Sequence, residues 1–175
     1  MHNSLIFNLI ILILGDSHGA GTPGKELQKL FNQRQNTIVF NKSKGGTTVI
    51  HWVRKPIKLL PKADLVIFFL GTNDNPSYSQ KYYKTLKEKY KDAIIVSPPL
   101  FPERVKRRGE RIPLNTQMAK MRRIQREVFG INWIDSVNEC DLGLDYRMRD
   151  GVHLLGKSAK KWAKCIYKSI QIEGF

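Results

Sequence analysis

Short apolar runs that end in turn residues recur along the chain, and they constrain its fold more than any other feature. Five of them have the length of a strand: Leu9 to Leu14, Thr37 to Phe40, Leu65 to Leu70, Ala93 to Val96 and Ile131 to Ile134. Continuous apolar runs, unlike alternating ones, are typical of strands buried on both faces of a parallel sheet. The runs therefore predict the strands of such a sheet.

Segments with apolar residues at helical spacing lie between these runs. They cover Lys25 to Arg34, Pro76 to Tyr90, Leu114 to Val128 and Ser158 to Ile172. Strands that alternate with helices imply crossovers that place helices on both faces of the sheet. A chain of 175 residues suffices for one hydrophobic core and is short for two domains of ordinary size. We expect a three-layer α/β sandwich, with residues 1–175 as a single domain.

Ligands of such sheets bind beyond the carboxyl ends of the strands, so the residues that follow each strand are candidates for a site. Three polar, turn-forming segments occur there, GDSH at 15–18, NKSKGGTT at 41–48 and GTND at 71–74, and a fourth, DGVHL at 150–154, precedes the last helix. The sandwich would bring all four to one edge. Together they supply Ser, Gly, Asn, Asp and His.

One serine, one histidine and one aspartate in these segments suit nucleophilic catalysis. The Ser17 hydroxyl needs a base to remove its proton, and His153 is the candidate base. Asp150 precedes His153 by three residues, a spacing that lets one turn bring the carboxylate to the imidazole ring. Structural alternatives remain for two of these residues. Ser17 also suits a helix cap, and a lone histidine such as His153 is more often structural.

Acyl transfer also requires donors for the oxyanion. The backbone N–H of Ser17, a glycine N–H from Gly45 or Gly46, and the side-chain amide of Asn73 are the candidates. Each again has a simpler explanation, since Asn73 suits a turn and Gly46 suits a positive φ.

The order of the segments narrows the choice. A strand followed by GDS, then N-x-x-x-G-G-x-T, then GTND after a further strand, and D-x-x-H before a final helix resembles the SGNH hydrolase family, also called GDSL esterases and lipases. The resemblance runs from about Leu12 to the last helix. It implies a flavodoxin-like α/β/α sandwich with a mostly parallel sheet of about five strands, and no metal or cofactor.

The resemblance also implies a role for each site residue. Ser17 would be the nucleophile and one oxyanion donor, His153 the base and Asp150 its orienting acid. The other two donors would be Gly46 and Asn73, where alignment from Asn41 favours Gly46 over Gly45.

Two positions depart from the family pattern. His18 stands where many members have leucine, and it is expected either to line the substrate site or to be packed or solvated. Gly45 adds a second glycine beside Gly46 and is another candidate to line the site. His51, after the glycine block, receives no role.

The stretch GDSHG also fits G-x-S-x-G, the nucleophile elbow of α/β-hydrolases. That fold places the serine well into the chain, with the acid far upstream of the histidine and an HGGG-type segment before the serine. Here Ser17 follows the first strand, Asp150 lies three residues from His153, and no such segment precedes Ser17. The match is therefore interpreted as a coincidence.

The net charge of the chain is +15, from 30 Lys and Arg against 15 Asp and Glu. Residues 81–130 hold 14 basic and 5 acidic side chains, and ERVKRRGER at 103–111 lies in a predicted loop. Solvated helix faces account for much of this charge, for example at 81–91. Because no zinc-finger spacing, aromatic RNA-binding signature or basic region before heptads occurs, nucleic acid is not the expected partner.

The family resemblance leaves the substrate open among several esters. Few long apolar loops occur near the strand ends, which favours a small acyl group over a long chain. The leading hypothesis is an O-acetylesterase acting on an acetylated glycan, with the charge favouring an acidic one. The alternatives are a lipid esterase of lysophospholipase or thioesterase type, and a non-catalytic module that binds a polyanion.

Ser4 to Leu14 resembles the apolar region of a signal peptide. No Lys or Arg precedes it, no small-residue cleavage site follows, and it is shorter than the roughly 20 residues of a membrane span. We expect no signal peptide and no transmembrane segment, and hence an intracellular protein or export by another route. Cys140 and Cys165 form no metal-binding or CxxC motif, and either two buried thiols or one disulfide fits them.

Overall fold

The computed structural model describes residues 8–99, 105–107, 110–112, 114–140 and 152–170. Its strands are β1 (Leu9–Gly15), β2 (Thr37–Asn41), β3 (Leu65–Phe69), β4 (Ile94–Val96), β5 (Val105–Arg107), β6 (Glu110–Ile112) and β7 (Trp133–Ile134). Five of them form one sheet in the order β2-β1-β3-β4-β7, and every neighbouring pair is parallel. The predicted parallel sheet is confirmed.

Helices cover both faces of this sheet. They are α1 (Ser17–Ala20), α2 (Thr22–Asn32), α3 (Val49–Arg54), α4 (Pro76–Lys89), α5 (Leu114–Phe129) and α6 (Gly156–Ser169). Side chains of α2 and α6 pack against one face, and side chains of α3, α4 and α5 pack against the other. The three-layer α/β/α sandwich is thus confirmed.

Strand β1 shows why an uninterrupted apolar run was needed. Leu9, Ile11 and Ile13 belong to the core beneath α2 and α6, whereas Leu12 and Leu14 belong to the core on the opposite face. Successive side chains of a strand point to opposite faces, so both faces of a central strand must be apolar to be buried.

The predicted start of the last strand was wrong, and α3 was not predicted. Residues 130–132 form a 3₁₀ turn before β7, and Ile131 is fully exposed. An apolar residue in a short run does not have to be buried, which explains the error. Helix α3 has six residues, too few to show a helical period.

The prediction of a loop at 103–111 is also wrong for the residues of this range that the structure describes, since they lie in β5 and β6. Strands β5 and β6 pair antiparallel, with Val105 opposite Ile112 and Arg107 opposite Glu110. The sequence pattern explains the hairpin: β-branched residues occupy both outer positions, and a dipeptide ending in glycine separates the strands. Each strand has only three residues, which is too short for a recognisable period.

Cys140 and Cys165 form a disulfide, with their Cα atoms 5.5 Å apart. This decides between the two arrangements that the sequence left open. Cys140 follows β7 and Cys165 lies in α6, so the bond closes a loop that contains positions 150 and 153. Across the described ranges, the helices all fall short of the length and apolar character of a membrane span.

Candidate active site

The first turn after β1 places Ser17 at the edge of the sheet. Gly15 has φ of 145°, and a Cβ there would overlap the carbonyl oxygen of Phe69 at the end of β3. Only glycine allows this close approach of two main chains. Asp16 caps α1, since its Oδ1 accepts a hydrogen bond of 2.9 Å from the His18 N–H. Ser17 is therefore not the cap of α1; it is the first residue of that helix and is half-buried.

The glycine block after β2 folds back over this turn. Asn41 Nδ2 donates to the carbonyl of Gly19 (2.9 Å), and the Thr47 hydroxyl lies 2.9 Å from the carbonyl oxygen of Gly15. A Cβ on Gly45 would lie 3.9 Å from the Cβ of Ser17, so this glycine is the nearer one to the serine. Gly46 has φ of 74°, the positive φ that its sequence position suited, and a Cβ there would meet nothing within 4 Å.

Asn73 joins the GTND segment to the glycine block. Its Nδ2 donates to the carbonyl of Thr47 at 3.1 Å. An amide nitrogen carries two N–H groups, and this bond uses one of them. Asn73 is half-buried, whereas the residues on either side of it, Thr72 and Asp74, are buried.

Asp74 anchors the same segment in the protein interior. Its carboxylate accepts hydrogen bonds from the Tyr83 hydroxyl (2.6 Å) and the Val49 N–H (2.8 Å). Gln125 Nε2 donates to the carbonyl of Leu70 and to the Tyr83 oxygen, which ties the segment to α3, α4 and α5. Burial raises the pKa of the Asp74 carboxyl to about 6, even though both accepted hydrogen bonds lower it.

His153 and Ser17 line the same cavity at this edge, which has a volume of about 570 Å³. The start of α1 and α2 forms one wall and the segment before α6 forms the other. Among the residues that the structure describes, the walls include Ser17, His18, Gly21, Thr22, Pro23, His153, Leu154 and Leu155. Ser17 and His153 are far apart in the sequence and are both candidates for catalysis because of their chemistry. They thus lie at the same opening.

The structure brings most of the predicted site residues to one edge of the sheet. Ser17, His18 and His153 line the cavity, and Gly45 lies beside Ser17. Asp150 lies outside the described residues. Within those residues, no three His, Cys, Asp or Glu side chains come together as a metal site.

Sequence reasoning missed the buried polar groups behind the site. Gln125 falls within the segment from Leu114 to Val128 that was predicted as a helix from its apolar spacing, and no role was predicted for it or for Thr72, Asp74 or Tyr83. A glutamine at a core position of an otherwise apolar stripe was the available signal, because a buried polar side chain needs hydrogen-bond partners. His51 packs against the ring of Trp52 and is absent from the walls of the cavity.

Comparison with known proteins gave solved structures alone, since no family model and no curated protein sequence matches the chain. An acetylxylan esterase of Geobacillus stearothermophilus, Axe2, is 16% identical over 95% of this chain and 96% of its own, with a TM-score of 0.71. A protein assigned to the G-D-S-L lipolytic family, from Desulfitobacterium hafniense, is 16% identical over 93% of this chain and 100% of its own, with a TM-score of 0.72.

The chain has the fold of these esterases. A gut microbial diltiazem-metabolizing enzyme shares it as well, at 14% identity over 93% of this chain and 47% of its own (TM-score 0.74). Two of the similar Axe2 structures carry catalytic substitutions, one of a serine and one of a histidine. The GDSL-type esterase fold thus agrees with the fold that the order of the motifs implied.

Proposed function

We propose that the protein is a serine ester hydrolase that removes a small acyl group, namely acetyl, from a carbohydrate. The observation that carries this proposal is the cavity shared by Ser17 and His153 at the carboxyl edge of the sheet. Gly45 of the glycine block lies beside Ser17, and Asn73 is hydrogen-bonded to the same block through the carbonyl of Thr47. The serine and histidine substituted in the catalytic mutants of Axe2 support the same pair of residue types.

The proposed reaction has two steps. Ser17 Oγ attacks the acyl carbon while His153 takes its proton, and His153 then gives that proton to the departing alcohol. Water, deprotonated by His153, attacks the acyl-enzyme and releases the acid and the free serine. Asp150 is assigned the task of holding the imidazole in the productive tautomer.

Three donors are assigned to the oxyanion: the N–H groups of Ser17 and Gly46 and the side-chain amide of Asn73. Asn73 is suited to this because its bond to Thr47 fixes the amide and leaves its second N–H for the substrate. Fixed donors stabilise the developing charge without reorganisation during the reaction.

An acetylated glycan is the substrate that the comparisons favour, because Axe2 is described as an acetylxylan and acetyl-xylooligosaccharide esterase. A second candidate is an ester with a longer acyl chain, since Pro23, Leu154 and Leu155 give the cavity an apolar lining. A series of p-nitrophenyl esters from acetate to octanoate separates the two. We expect acetate to have the highest kcat/KM, and a clear preference for octanoate would favour the lipid-type esterase.

The catalytic proposal itself is tested by labelling with a fluorophosphonate, which reacts with an activated serine. The native chain should form one covalent adduct and hydrolyse p-nitrophenyl acetate, and Ser17→Ala should do neither. Ser77→Ala removes an exposed serine of α4 and is the control that should behave like the native chain. A native chain that forms no Ser17-dependent adduct and turns over no ester would favour the polyanion-binding module.

A further inference from the structure

The residue after the proposed nucleophile is enclosed by polar groups. His18 is only 2% exposed, with its ring edge-on to Trp162 of α6 at 5.6 Å between centroids. Its Nε2 lies 3.1 Å from the carbonyl oxygen of Val152, and its Nδ1 lies 3.2 Å from the Thr72 hydroxyl oxygen. A buried imidazole with a partner at each nitrogen has a fixed orientation.

The partner at Nε2 determines where this ring carries a proton. A carbonyl oxygen only accepts, so Nε2 must donate, and in the neutral ring Nδ1 then accepts from the Thr72 hydroxyl. Asp16 Oδ1 also lies 3.6 Å from Nδ1.

The hydrogen-bond partners described at the two His18 ring nitrogens are both chain neighbours of proposed site residues. His18 itself follows Ser17, Thr72 precedes Asn73, and Val152 precedes His153. One imidazole thus joins the three segments that supply the nucleophile, an oxyanion donor and the base. The His18 and His153 rings are also near each other, with centroids 5.7 Å apart.

We infer that His18 is a positioning residue whose Nε2–H holds the Val152 carbonyl and thereby sets the main chain of His153 relative to Ser17. The inference rests on the proposed function, because it assigns His153 the role of base. A bond that fixes the reacting groups affects the chemical step more than ground-state binding. A displacement of about 1 Å in such a site can lower the rate about 100-fold.

The matched variants are His18→Gln and His18→Met. Both side chains have the same length, and the amide nitrogen of glutamine is as many bonds from Cα as Nε2 of histidine, but only glutamine has an N–H for Val152. We expect His18→Met to lower kcat for p-nitrophenyl acetate by about 10- to 100-fold, with KM changed less than about twofold. His18→Gln should recover most of this loss.

Gln28→Leu is the control away from the site. Gln28 Nε2 donates to the carbonyl of Val39 at 3.0 Å, which is the same kind of bond between a helix side chain and the main chain. We expect its kcat to be native. Equal kcat values for His18→Met and the native chain, a loss that glutamine does not recover, or a change confined to KM would each overturn the inference.

Imidazole ¹H–¹⁵N spectra test the same contact without turnover. The native spectrum should show His18 protonated at Nε2, and His18→Met should shift the ring resonances of His153 more than His18→Gln does. A native His18 without a proton at Nε2, or a His153 ring unaffected by His18→Met, would overturn the inference even if the native chain hydrolysed no ester. Failure of the proposed function would instead appear as a native chain without a Ser17-dependent adduct.

Discussion

Asn73 and Asp74 are neighbours in the chain, yet their side chains lie in different surroundings. The Asn73 amide donates to Thr47 at the glycine block and is half-buried. The Asp74 carboxylate is 1% exposed and binds the Tyr83 hydroxyl and the Val49 N–H. The Asn73 side chain is therefore partly accessible, and Asp74 anchors the segment that holds it.

Replacement of Asn73 tests its proposed part in the oxyanion site. We expect Asn73→Ala to lower kcat for p-nitrophenyl acetate by about 10²- to 10³-fold, because a fixed donor acts mainly on the transition state. Asn75→Ala is the matched control, since Asn75 caps α4 through Ser77 N–H. That variant should lose about 1 kcal/mol of stability and keep its kcat. Similar kcat values for the two variants would contradict the assignment.

The raised pKa of Asp74, about 6, predicts a pH-dependent stability. The folded state holds this proton more tightly than the unfolded state, so the contribution is full below about pH 4 and is lost as the pH rises through about 6. At 1.36 kcal/mol per pKa unit, the loss is about 3 kcal/mol. Urea unfolding from pH 4 to 7 should therefore show native stability falling by about this amount relative to Asp74→Asn.

The control for this measurement is Asp92→Asn, at an exposed carboxyl. If the stability difference between native and variant changed with pH as much at Asp92 as at Asp74, burial of Asp74 would not be its cause. The comparison also separates the effect of burial from the general effect of pH on a chain with many charges.

The disulfide is the main covalent constraint on the element that carries the proposed base. It joins Cys140, after β7, to Cys165 in α6, across a separation of 25 residues. His153 lies within the closed loop and immediately before α6. Constraint of this loop in the unfolded chain is expected to stabilise the folded state.

Removal of the disulfide should lower the free energy of unfolding by about 3 to 4 kcal/mol on the chain-entropy estimate for a loop of this length. The measurement is denaturant unfolding of the native chain with and without reductant, and of the double variant Cys140→Ser/Cys165→Ser. Reductant should destabilise the native chain and leave the double variant unchanged. A native chain equally stable in both conditions would contradict the expectation.

The strands and helices that could be predicted from the sequence are those with side chains that pack against a core. Strands β1 and β3 and helices α2, α4, α5 and α6 appear as apolar runs or helical stripes, because each must cover a core. Helix α3 and the β5–β6 hairpin were missed because six-residue and three-residue segments carry too little periodicity.

The candidate site likewise contains residues that can be predicted from the sequence and contacts that cannot. The sequence predicts Ser17, Gly46 and Asn73 as site residues because they follow strands, and His153 because it precedes the last helix, in the order of a known family. The partners of His18 are not, because no local spacing relates Thr72 and Val152, which are 54 and 134 residues away from it. Contacts between distant segments depend on packing and become visible only in three dimensions.

The positive charge of the whole molecule is distributed over both helical layers. Helix α6 carries five lysines and no acidic residue, and α4, on the other side of the sheet, carries four lysines and one glutamate. The lysines of α6 are exposed. A net charge of +15 spread in this way produces a field around the whole protein, including the cavity edge.

Such a field should act on charged substrates alone, which gives a prediction for ionic strength. From about 0.01 M to 1 M salt the Debye length falls from roughly 30 Å to 3 Å. We expect kcat/KM for an acetylated acidic polysaccharide to fall about 10-fold or more over this range. The rate with p-nitrophenyl acetate, a neutral ester, is the control and should stay nearly constant. If both rates responded equally, salt would be acting on the protein, and the charge would have no part in the choice of substrate.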